Sequence, residues 1–129
     1  MSNEKNVDAP LYTITPYFTV DDADRLIDFL IAVFDATLIK ENRYTDGKVQ
    51  HVRLLIGNSV VMLNSSTDAY SATVSQMHIH VGDVDQTYET ALKLGARSLM
   101  EPNVRPHGDR MSGIKDPCGN LWWIASKLS

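Results

Sequence analysis

The chain closes on Asp116-Pro117-Cys118-Gly119-Asn120-Leu121-Trp122-Trp123, and this segment sets the frame for everything upstream of it. Asp-Pro biases Asp116 towards extended backbone and fixes φ at Pro117. Gly119-Asn120 supplies the two residue types that most readily take positive φ, so the chain turns there. The following Leu121-Trp122-Trp123-Ile124-Ala125 is apolar and aromatic, the composition of a strand covered on both faces. Residues 110–115 and 121–126 therefore read as a closing hairpin. Its second strand is either the last wall of a core or the floor of a pocket.

Working back from that hairpin, residues 77–81 alternate as a strand, and Asp83 or Asp85 starts a helix through Tyr88, Ala91, Leu92 and Leu94. Gly95 ends it. Residues 97–101 read as a strand and 102–108 as a loop. The first half has the same order. Residues 12–20 alternate, with Ile14, Phe18 and Val20 on one side, and Pro16 places that strand at an edge or beside a bulge. Asp21-Asp22 caps a helix whose Leu26, Ile27, Leu30, Ile31, Val33 and Phe34 recur at helical spacing. Residues 37–43, 49–56 and 60–63 are extended, separated by turns at 45–47 and at Gly57-Asn58.

The halves also match residue by residue. Phe18-Thr19-Val20-Asp21-Asp22-Ala23-Asp24 lies against Ile79-His80-Val81-Gly82-Asp83-Val84-Asp85, Asp35-Ala36 against Gly95-Ala96, and Gly57-Asn58 against Gly119-Asn120. The expected plan is a mobile leader over residues 1–10, a βαβββ module over 11–64, a Ser/Thr-rich linker over 65–75 and a second βαβββ module over 76–129. Each module is too small to bury its sheet alone, so the two form one structural domain.

Composition narrows the function classes. The chain has 129 residues, 43% hydrophobic and 22% charged, with a formal net charge of -4. No basic stripe is present, so a nucleic-acid partner is not expected. No apolar run approaches the roughly 18 residues of a membrane span. Residues 1–10 carry no signal-peptide core, so the expected location is cytoplasmic. The single cysteine, Cys118, excludes an intramolecular disulfide, fits a reducing compartment, and has no base near it in sequence to activate it.

The duplicated βαβββ order, the Val-x-Asp-x-Asp helix entries, Gly95-Ala96 and the Asp-Pro-x-Gly-Asn turn resemble the vicinal oxygen chelate superfamily. That superfamily holds glyoxalase I, bleomycin-resistance proteins, fosfomycin-resistance enzymes and extradiol dioxygenases. The resemblance covers residues 12–126. Gly108-Asp109-Arg110 with Asp116-Pro117 and Trp122-Trp123 is most similar to the glyoxalase-like and bleomycin-resistance-like branch. It implies an α+β fold with a cupped eight-stranded mixed sheet, helices on the convex face and a ligand cleft inside. It also implies where metal-using relatives hold their ion, and those positions are here Thr15, Met62, Gln76 and Trp123. Divalent cations want carboxylate and imidazole. No metal and no other cofactor is therefore expected.

Strand alternation says which side chains accompany those four. Tyr17 shares a face with Thr15, His51 and Arg53 lie opposite the helix-facing Val52 and Leu54, and His78 and His80 share a face with Gln76. The expected ligand-binding set is Thr15, Tyr17, His51, Arg53, Met62, Gln76, His78, His80 and Trp123. Arg53 either clamps a carboxylate or phosphate or pairs with an acid across a dimer seam. Trp123 either stacks on a ligand ring or packs in the core. Trp122 reads as core and His107 as solvent-facing.

The preferred reading is metal-independent binding of a small planar or anionic molecule by a homodimer. The alternative is a glyoxalase-type metal-dependent lyase, isomerase or dioxygenase with a displaced His51/His78/His80 site. A structural dimer with a vestigial cleft is the third.

Overall fold

The computed structural model describes residues 4, 5, 7 and 9–127. Residues 1–3, 6 and 8 of the leader, and 128–129 at the other end, lie outside the described residues. The chain divides into two compact units, Met1–Val74 and Ser75–Ser129. The first holds β1 (Tyr17–Val20), α1 (Ala23–Phe34), β2 (Thr37–Arg43), β3 (Val49–Ile56) and β4 (Ser59–Ser65). The second holds β5 (Gln76–His80), α2 (Val84–Lys93), β6 (Arg97–Val104), β7 (Asp109–Lys115) and β8 (Leu121–Lys127). The βαβββ plan is present twice, and its eight strands form two four-stranded mixed sheets. Their orders are β1-β4-β3-β2 and β5-β8-β7-β6, with the first pair in each parallel and the others antiparallel.

The helices start where the aspartates cap them. Asp22 accepts from the Arg25 N–H at 3.2 Å and Asp83 from the Gln86 N–H at 3.1 Å. Two residues on, Asp24 and Asp85 each take an arginine reaching over from the sheet. Arg43 meets Asp24 at 2.6 Å, and Arg110 grips Asp85 with two bonds of 2.7 Å. These carboxylates hold both guanidiniums well above their ordinary pKa, and Arg110 lowers that of Asp85. Each helix ends in a left-handed residue, Asp35 at φ 56° and Gly95 at φ 100°.

Period-2 strands against period-3.6 helices give each unit its own core. In the first, Leu26, Leu30, Val33 and Phe34 of α1 are buried, as are Phe18, Val52, Leu54 and Leu63 of the sheet. In the second the buried side chains include Val84, Tyr88 and Ala91 of α2 with Ile114, Trp122 and Ile124. Each fully buried Leu, Ile or Phe contributes about 1.5–3 kcal/mol.

Three expectations need correction. Residues 12–20 do not form one strand: β1 begins at Tyr17, and Ile14, expected on the helix side, is 85% exposed. Pro16 lacks an N–H, so the ladder reaches its carbonyl, which accepts from the Met62 N–H at 2.9 Å, and stops. Pro102 does not end β6, which runs on to Val104. β6 is an edge strand and its pairing is irregular between Met100 and Asn103, where a missing donor costs little. Leu94, placed with the helix's apolar face, is exposed beyond the end of α2.

The linker is fastened rather than loose along β1. The Ser66 and Thr73 N–H groups donate to the carbonyls of Val20 and Thr19, and the Ser66 hydroxyl donates to Asp21 at 2.6 Å.

Candidate functional site

The closing turn is a buried polar knot that fixes the two tryptophans. Asp116 and Asn120 are both buried. Asp116 Oδ1 accepts from the N–H groups of Cys118 at 2.8 Å and Asn120 at 3.0 Å. Its Oδ2 accepts from Trp122 Nε1 at 2.8 Å. Asn120 Oδ1 in turn accepts from the Ser75 N–H at 2.9 Å, which ties the start of β5 to the turn. Trp122 therefore points into the core with its one polar atom satisfied. By alternation Trp123 points the other way, onto the open face.

There the Trp123 ring lies against Gly113, its partner on β7. A β-carbon at Gly113 would stand 2.7 Å from Trp123 Cε3, so only glycine admits the ring. Leu99 flanks the same spot, and Gln76 Oε1 accepts from Trp123 Nε1 at 2.7 Å. His78 sits directly across from Trp123, and its ring meets that of His80 edge-on, centroids 5.1 Å apart. Gln76, His78 and His80 are exposed, and Trp123 is half-buried. The second sheet thus offers a pinned aromatic platform beside two imidazoles. Gly113 was missed from the sequence. A lone glycine inside a strand pattern was the available signal.

The first sheet offers a different surface. Met62 is flanked by Tyr17 on β1 and Arg53 on β3. His51 Nε2 accepts from Arg53 Nε at 3.2 Å, and His51 Nδ1 lies 3.2 Å from the Tyr17 hydroxyl. A guanidinium only donates, so Nε2 is the lone-pair nitrogen of a neutral imidazole and Nδ1 carries the proton given to Tyr17. Burial first, then the charges of Arg53 and Lys40, hold His51 below the ordinary imidazole pKa. Burial, with Tyr44, raises that of Tyr17. Thr15 precedes β1, so alternation cannot aim it as a strand residue. His107 is exposed, 3.7 Å from Asp109.

A cavity of about 220 Å³ in the second unit is lined by Gly95, Arg97, Lys115, Asp116, Pro117 and Gly119, none of them in the expected set.

The comparisons fit this geometry. The family described as Glyoxalase/Bleomycin resistance protein/Dioxygenase superfamily matches residues 13–124. The chain belongs to this superfamily. It is 32% identical over 126 residues to an uncharacterized protein of Mycobacterium bovis, covering 89% of this chain and 83% of that one. Among solved structures it is similar to TioX from Micromonospora sp. ML1, at 25% identity and a TM-score of 0.75, over 91% of this chain and 99% of that one. The fosfomycin resistance protein FosX from Mesorhizobium loti shares the fold, at 21% identity and a TM-score of 0.65, over 91% of this chain and 92% of that one.

A metal ion of the kind used elsewhere in the superfamily does not fit the equivalent residues here. Met62 has the Arg53 guanidinium as its cross-strand neighbour, which repels a cation. Gln76 Oε1 is engaged by Trp123. Among the described residues no three His, Cys, Asp or Glu side chains gather to hold a metal. His51, the third member of the alternative triad, has Nε2 occupied by Arg53 and Nδ1 against Tyr17.

Proposed function

We propose that this member of the superfamily binds a small planar or anionic molecule without a metal ion, on the open faces of its sheets. The observation that carries the reading is the half-buried Trp123 held against Gly113 and tied at Nε1 to the exposed Gln76. A pinned ring loses little freedom when a ligand ring stacks on it. His78 and His80 line the same face, while Thr15, Tyr17, His51, Arg53 and Met62 supply the polar surface of the first sheet. Arg53 gives an anion charge-assisted hydrogen bonds, the stronger kind. In this reading the chain acts in the cytoplasm as a homodimer.

Trp122 is buried, so a quencher that stacks reports on Trp123. Aromatic metabolites and antibiotics are to be screened for quenching and for a raised melting temperature, which ligand binding produces by mass action. A hit lost in Trp123→Ala and kept in Trp122→Phe supports the reading. Protein purified without chelator is expected to lack stoichiometric zinc, nickel, iron or manganese. One tightly held metal per chain, lost on replacing His78 and His80, would instead promote metal-dependent chemistry.

A further inference from the structure

A single extra residue in β2 decides what the first sheet's open face is made of. Leu38 sits across from Leu54, but the next pair is Lys40 with Arg53, so Ile39 is a bulge. Without it, alternation would set Ile39 across from Arg53 and Glu41 across from His51. With it, Lys40 faces Arg53, Asn42 faces His51, and Glu41 faces Val52 on the helix side. There Glu41 accepts from Arg43 Nε at 2.7 Å. The bulge has taken an acid off the open face and put a second cation on it.

Like charges directly opposite one another on neighbouring strands destabilise a sheet. Among the described residues neither Lys40 nor Arg53 pairs with a carboxylate. Met62, on the other side of Arg53, brings no counter-charge. Among the described residues Arg53 spends only Nε, on His51, and keeps both terminal nitrogens. His51 is itself held by Tyr17, so the guanidinium is steadied before any ligand arrives.

We propose that Lys40 and Arg53 form a seat for a doubly charged oxyanion, with His51 as the positioning residue for the guanidinium. This rests on the reading of the open face as a binding surface, and adds to it a residue and a charge class. A planar fork beside a point charge suits an anion with two charges and several oxygens. A single carboxylate satisfies only one of the two cations.

Sulfate and oxalate, one tetrahedral and one planar, carry two charges near neutral pH, and acetate carries one. Each is to be titrated at constant ionic strength, following amide NMR shifts in β2 and β3. At least one dianion is expected to bind about tenfold or more tighter than acetate. Preference for sulfate identifies a phosphate-like group, and preference for oxalate a dicarboxylate. Lys40→Met is expected to remove most of the difference. Lys40→Glu should abolish dianion binding and raise the melting temperature, because it puts an acid opposite Arg53. His51→Leu should weaken the dianion and His51→Gln, which can still accept from Arg53, should restore it. Dianions that bind no better than acetate overturn the seat, as does dianion binding that survives Lys40→Glu. If His51→Gln and His51→Leu behave alike, the positioning role falls. Should the dianions fail while a planar compound still quenches Trp123, the seat is lost and the binding function stands.

Discussion

Trp123 fills the space where a β-carbon on Gly113 would stand, with Cε3 only 2.7 Å from that position. Gly113→Ala must lift the ring off the sheet. The expected cost is about 1–3 kcal/mol, the range for overpacking a tight site. Denaturant unfolding measures it, and tryptophan emission should shift as the ring moves. An unchanged midpoint and spectrum would show that the ring does not need the glycine.

Asp116 takes backbone N–H groups from two residues and the indole N–H of Trp122. Asp116→Ala strands those buried donors, each worth about 1–3 kcal/mol when left unpaired. A loss of several kcal/mol, or failure to fold, is expected. Asn58→Ala at the exposed hairpin turn of the first unit should cost far less. Chemical denaturation of the two variants side by side checks the contrast.

His51 titrates below its unfolded value of 6.5. The unfolded chain therefore takes up the proton first as pH falls. This contribution to stability is complete above the unfolded pKa, is lost as pH falls below it, and stops changing below the folded pKa. In melting temperatures recorded from about pH 8 to 5, His51→Asn should flatten that part of the curve. A mutant curve parallel to wild type would count against a depressed His51.

Leu11, Tyr12 and Ile14 before β1, and Tyr70 and Val74 in the linker beyond β4, are exposed apolar side chains in one unit. A second copy of the chain is the expected cover, since most small oligomers are symmetric dimers. Light scattering at micromolar concentration should give twice the chain mass, and Tyr12→Lys with Ile14→Lys should reduce it. A monomeric wild type would remove the dimer from the proposed function.

The sequence made the modules legible because each strand with one covered face alternates and each helix starts at an aspartate. β2 and β3 have the bounds the pattern gave, and the caps, Asp22 and Asp83, are among the aspartates the pattern offered. The failures share a cause. Ile14 kept strand spacing, but Pro16 had already ended the ladder. Lys40 was invisible because a bulge changes which residues share a face without altering composition. The glycine beneath Trp123 is a contact across strands, and no spacing along one strand encodes it.

The bulge at Ile39 also bears on how such a surface changes over generations. Losing the Ile39 codon would remove only the extra residue, leaving Lys40 across from Arg53 and Glu41 across from Val52. Losing the Lys40 codon instead would let Ile39 take its place across from Arg53 and would remove the second cation from the face. Two descendants of equal strand length, one lacking residue 39 and the other residue 40, would then differ in the charge of ligand they select.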